Sequence, residues 1–391
     1  MIIFKQEWNS MSVTVRVEVK KEIYKWAINE SQRDYHDISK AFKNIDDWIN
    51  QHKKPTFRQL QDLSKFLGVP FGYMFLKRAP EKNVIQADYR TLSNKKPNMS
   101  KNLIDTITDM SAKQNWVSEY RKTNGWNMII GDSYENLHTK EFAKKAKSFL
   151  TLDEKWFEQQ KNTAEAFKYL RNMFEENGIL VMQNGIVKLN TNRKLSLDEF
   201  RGFFLYDEYA PLIFLNSNDS YAGKIFTLIH ELIHLLLKKD DIFENIDLHA
   251  TDDDERYINQ ITAEFLMPEA LILEYWNTNK QNIEQIEEIS SLFKVSRHAL
   301  SIRLYELKLI NRKLKEEIEE ITENDIRNFK SQKGGGGNFW TSYKSRFSHN
   351  FIEAVVNGTE SGDISYTRAF NLLNIKANRY DNVKELLENY E

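Results

Sequence analysis

The stretch His230-Glu231-Leu232-Ile233-His234 constrains this chain more than any other. It lies within an apolar run, Ile225, Phe226, Leu228, Ile229, Leu232, Ile233, Leu235 and Leu236, which predicts a helix over 223–239. Residues four apart share a helix face, so the imidazoles of His230 and His234 can reach one cation. A helix that is apolar nearly all round is buried. Glu231 stands beside the histidine face, where a carboxylate can hold an attacking water as general base.

The chain has no cysteine, which excludes disulfides, thiolate-bound zinc, iron–sulfur clusters and a cysteine nucleophile. A transition metal must then use His and carboxylate ligands. Catalytic Zn²⁺ takes three protein ligands and keeps one position open. No histidine stands six residues after His234, so the metzincin pattern fails. Glu255 follows His234 by 21 positions and opens a helix-like stretch, Glu255-Arg256-Tyr257-Ile258-Asn259. It is the expected third ligand. Asn259, one turn on, is expected to brace a ligand histidine, a layout similar to that of the thermolysin-like group. Asp252 and the small Ala263 fall on the same side. The rival, Glu264, is nine residues after Glu255. That is about 900° around the helix, on the opposite face, where a solvated position is expected. His249, Tyr257 and Tyr221 are candidates to donate to the oxyanion of a tetrahedral intermediate, with an exposed loop position as the plainer reading of His249.

With 391 residues, one to three domains are expected, and 41% hydrophobic with 13% aromatic residues fits a folded chain. The net charge of −2 gives no support to non-specific nucleic-acid binding by the whole molecule. No apolar run is long enough to span a bilayer, and the N-terminus lacks a secretory pattern, so no membrane association and a cytoplasmic location are expected. Four regions are read: 1–90, short helices after a strand-like alternation at Val13–Val19; 91–165, a helical connection; 166–310, the metal-site domain; and 311–391, a helical C-terminal region. Within the last, Gly334–Gly337 reads as a linker or as a loop shaping a groove. Short strands are expected at Ile179–Met182, Ile186–Leu189, Phe203–Tyr206 and Leu212–Leu215. The last, Leu212, Ile213, Phe214 and Leu215, is read both as core and as an edge strand that would hold an extended substrate beside the metal helix.

Phe226 to Leu237, with Glu255, Asn259, Ala263, Phe265-Leu266-Met267-Pro268, Pro211 to Asn216 and Phe293 to Leu304, resembles the ImmA/IrrE metallopeptidases over about residues 165–310. The resemblance implies an α+β, mostly helical protein with a gluzincin-like domain, a small antiparallel sheet, zinc on His230, His234 and Glu255, and Glu231 as catalytic base. It also implies a protein substrate, often a helix-turn-helix repressor whose cleavage releases genes of mobile elements, stress responses or defence. Ile233 and Ile258 depart from the pattern, standing where the family more usually has small residues.

Residues 22–78, notably Thr56 to Leu60 and Phe66 to Phe75, resemble the helix-turn-helix repressor domain that often precedes this peptidase. Residues 1–90 carry 16 Lys plus Arg against 11 Asp plus Glu, a mild excess of the kind phosphate binding needs. Yet the recognition position, Asn44 to Asn50, holds Asp46 and Asp47, which would repel phosphates. DNA binding and protein docking both stay open for this module. Three functions follow: a zinc endopeptidase, a DNA-binding regulator with a vestigial site, and a sensor whose peptidase needs a trigger.

Overall fold

A computed structural model describes residues 16–31, 33–79, 88–89, 99–130, 134, 137–237, 252–280, 282–330 and 338–388. Val13 to Val15, His249 and the Gly334–Gly337 run lie outside the described residues. The chain divides into two compact units, residues 1–84 with 99–101, and residues 85–98 with 102–391. The sequence boundaries at 165/166 and 310/311 fall inside the second unit.

The first unit consists of α1 (Lys21–Ser31), α2 (Tyr35–Ala41), α3 (Ile45–Ile49), α4 (Phe57–Leu67) and a 3-10 turn at Phe71–Phe75. Its core is a cluster including Ile23, Tyr24, Ile38, Ile45, Trp48, Leu60 and Leu63. Helix α4 is marked off at both ends by its own residues. Thr56 and Gln59 form a reciprocal capping box, and Gly68 ends the helix at φ +65°. On α3 the two aspartates are engaged locally: Tyr35 Oη donates to Asp46 at 2.5 Å and Lys53 Nζ to Asp47 at 2.7 Å.

The second unit is built on a small sheet. Its strands are β1 (Asp88–Tyr89), β2 (Leu180–Asn184), β5 (Gly202–Leu205) and β6 (Leu212–Asn216), in the order β1-β5-β6-β2. A separate hairpin, β3 (Ile186–Val187) with β4 (Asn190–Lys194), carries the stretch expected as one strand over Ile186–Leu189. The sheet is mixed rather than antiparallel: β5 and β6 form an antiparallel hairpin, but β2 runs parallel to β6. The hairpin is inserted beside β2 after a long excursion, so β6 reaches β2 in the same direction. A second correction follows. Leu212–Leu215 is not an edge strand, because β6 is paired on both sides. All its residues are buried, as expected of a central strand that reads as a continuous apolar run.

Helices follow in chain order: α5 (Lys101–Thr123), α6 (Thr139–Phe149), α7 (Thr163–Glu176), α8 (Tyr221–Leu237), α9 (Asp252–Leu266), α10 (Glu269–Tyr275), α11 (Ile283–Phe293), α12 (Arg297–Glu306), α13 (Arg312–Lys330), α14 (Phe339–Arg346), α15 (His349–Glu360), α16 (Tyr366–Leu372) and α17 (Tyr380–Glu388). The spacing predicts α7 to begin near Phe157. It begins instead at Thr163, because Asn162 Oδ1 accepts from the backbone N–H groups of Ala164 and Glu165 and fixes the start there. Helix α8 covers one sheet face, sharing a core with Val181, Phe204, Ile213 and Leu215. From α5, Gln114 Nε2 donates to the Leu205 and Ala210 carbonyls, and Arg121 to those of Gly178 and Tyr209. The C-terminal helices are tied on through Glu175. Its buried carboxylate accepts from Ser348 Oγ at 2.6 Å and from the N–H groups of Asn350 and Val181.

Candidate metal centre

Helix α8 supplies His230 and His234, one turn apart. Both are buried, at 0% and 8% exposure, because the helix is packed on nearly every side. Helix α9 packs against α8 and α6, with Ile258, Ile261 and Phe265 in the shared core. Its first turn thereby brings Glu255 to the histidine pair. Ile233 and Ile258, where the family more usually has small residues, are also buried in this core.

The three side chains converge closely. Nε2 of His230 lies 3.1 Å from Nε2 of His234. Glu255 Oε2 is 3.6 Å from His230 Nε2, and Glu255 Oε1 is 3.3 Å from His234 Nε2. Around a tetrahedral zinc with bonds of about 2.0–2.1 Å, neighbouring ligand atoms stand about 3.3 Å apart. The observed triangle has that size. Among the described residues this is the His/Cys/Asp/Glu group whose donor atoms lie close enough together to hold an ion. Two neutral nitrogens and one carboxylate suit a divalent ion of intermediate softness. Three lone-pair donors aimed at one point in a buried setting repel one another unless a cation or shared protons lie between them. The residues therefore fit the metal. Glu231 follows His230 on the same helix and is itself buried, at 1% exposure.

The remaining predicted residues are distributed differently. Asn259 is half-buried on α9, and its Oδ1 accepts no hydrogen bond among the described residues. Tyr257 Oη donates to the Leu137 carbonyl at 2.5 Å, so that hydroxyl is committed away from an oxyanion. Tyr221 stands nine residues before His230, about 13 Å along the axis, and its ring lies over Lys224. Glu264 is not solvated. It is on the face opposite Glu255, as the spacing requires, but it is buried and pairs with Arg303 of α12. The periodicity gave the face correctly. It could not reveal that α12 covers that face.

Two contacts were not anticipated. Phe204 of β5 stacks on the His234 imidazole with ring centroids 5.8 Å apart, and Phe226 lies 6.3 Å from that of His230. The approach of β5 to α8 depends on Gly202. A Cβ there would meet Thr227 Cγ2 at 2.5 Å and the Phe214 carbonyl oxygen at 3.0 Å. A lone glycine opening an apolar run, Gly202-Phe203-Phe204-Leu205, was the available signal for such a close approach.

No curated protein and no solved structure matches the chain. The family model Peptidase_M78, described as the IrrE N-terminal-like domain, matches residues 187–305. That span contains β5, β6, the helices α8 and α9 that carry His230, His234 and Glu255, and the α11–α12 pair. The part of the chain that brings His230, His234 and Glu255 together is thus similar to the IrrE N-terminal-like domain, in agreement with the ImmA/IrrE resemblance of its sequence.

Proposed function

We propose that this protein is a zinc-dependent endopeptidase that cuts a regulatory protein, with His230, His234 and Glu255 as metal ligands. The observation that carries the reading is the size of the donor triangle, 3.1, 3.3 and 3.6 Å, against the roughly 3.3 Å edge of a zinc tetrahedron. Zinc bound there supplies a Lewis acid that polarises the scissile carbonyl and acidifies water. The Glu231 carboxylate takes a proton from the attacking water as a C–O bond forms. It then returns that proton to the amine nitrogen as the C–N bond breaks. Asn259 Oδ1 is the acceptor available to orient a ligand imidazole through its other ring nitrogen. The strand next to the histidines is β5, and an extended substrate segment would add along its outer side.

The choice of a helix-turn-helix repressor as substrate rests on the ImmA/IrrE resemblance alone. The test is to measure zinc content and cleavage of the repressor encoded beside the gene, for wild type and Glu231→Gln. Zinc at about one per chain in both proteins and cleavage by wild type only is expected. Equal cleavage by both would remove Glu231 from the mechanism, and a wild type without zinc would remove the site.

A further inference from the structure

The side of β5 turned away from β6 already has a neighbour. Asp88 pairs with Phe204 and Tyr89 with Phe203, antiparallel, so β1 joins the sheet at this place. Phe204 is also the residue stacked on the ligand His234. A strand laid directly on β5 is about 4.8 Å away from it, whereas one laid outside β1 is about 9.6 Å away. A substrate carbonyl has to come within bonding reach of an ion held by His234. The first position satisfies that need better than the second, and the chain itself fills the first.

We propose that β1 is an internal pseudo-substrate. Asp88–Tyr89 occupies the backbone groups of β5 that a peptide substrate would use, and must leave before one can bind. This rests on the endopeptidase reading and adds its regulation. Two observations support it. The pairing is antiparallel, a direction in which an added strand can pair with a sheet edge. It is only two residues long, so few hydrogen bonds oppose its release.

An intramolecular competitor lowers apparent substrate affinity by the fraction of molecules in which it is displaced. The test uses the full chain in a Glu231→Gln background, which binds without cutting. Binding of fluorescein-labelled denatured casein is followed by anisotropy, with and without the pair Asp88→Pro and Tyr89→Pro, which removes the N–H facing β5 whichever of the two residues carries it. Tighter binding by about tenfold in the proline protein is expected. Equal or weaker binding would overturn the proposal and make β1 a structural or substrate-supporting strand. A second variant, Tyr89→Cys with Phe203→Cys, uses the absence of native cysteines. These residues face each other across the pair. Oxidation should abolish casein binding and reduction restore it; binding unchanged by oxidation would also overturn the proposal. Failure of the peptidase reading appears separately, as casein or repressor hydrolysis independent of Glu231 in the otherwise wild-type chain.

Discussion

Glu255 and Glu264 lie on one helix, and their contrast is the sharpest test at the scale of single residues. Glu255→Ala removes one of the three proposed ligands, so metal content should collapse while the helix core is untouched. Glu264→Ala leaves Arg303 buried without its carboxylate, at a cost of about 3–5 kcal/mol in denaturant unfolding. Metal content should survive. The reverse pattern would exchange the two roles. Glu231→Gln should retain metal and lose hydrolysis by about 10²–10⁴-fold. Measured per bound metal, a smaller loss would assign the proton transfer elsewhere. The convergence of His230, His234 and Glu255 was legible because a 3.6-residue period is a rigid ruler within a helix. It put His230 and His234 together and set Glu255 apart from Glu264. Contacts between elements, such as Phe204 on His234 or Arg303 on Glu264, have no such ruler and became visible only once the helices and strands were assembled.

At the level of elements, β5 is held against α8 by a missing side chain. Gly202→Ala should cost about 1–3 kcal/mol through overpacking against Thr227 and the Phe214 carbonyl. It should also weaken metal binding by shifting Phe204 from His234. Thr227→Ser, which removes the clashing methyl, should recover part of both. The apolar runs of β2, β5 and β6 gave the strands but not their order. A strand buried on both faces looks alike whether central or marginal, so Leu212–Leu215 was open to reading as an edge. The 3-10 turn before α7 similarly mimics a helical period until Asn162 caps the true start. In the first unit, α3 carries Asp46 and Asp47 in its first turn, acids that would repel the phosphates of a duplex brought to it. We expect no salt-dependent gel shift of duplex DNA by the full chain at about 50 mM salt. A shift whose midpoint falls with added salt, and strengthens in Asp46→Asn with Asp47→Asn, would make this unit a DNA reader.

Across the whole molecule, Glu175 joins distant parts of the chain. Burial pushes its carboxyl above the ordinary 4.5, against the pull of Arg171 and the hydrogen bonds from Ser348, Asn350 and Val181. A group raised on folding contributes stability that is present below its unfolded value and lost as pH climbs through its folded value. Glu175→Gln removes that loss. The stability of the variant relative to wild type should therefore increase with pH above about 4.5, checked by urea unfolding across a pH series. A flat difference would mean that Glu175 titrates normally in the native state. The Glu175–Ser348 contact closes a span of 173 residues, and Arg171 donates to the Ser345 carbonyl across 174. Contacts of such separation form late, because the entropy of closing the intervening chain must be met first. On the ribosome, the first unit can assemble while the second is still being made. The buried carboxylate behind the metal-site sheet finds its partners only after about 350 residues have emerged. The lag between these events, at about 5–20 residues per second, is tens of seconds. Over its last stretch, once Glu255 has emerged, the nascent chain carries all three proposed metal-ligand residues before Ser348 and Asn350 arrive to complete the fold around them.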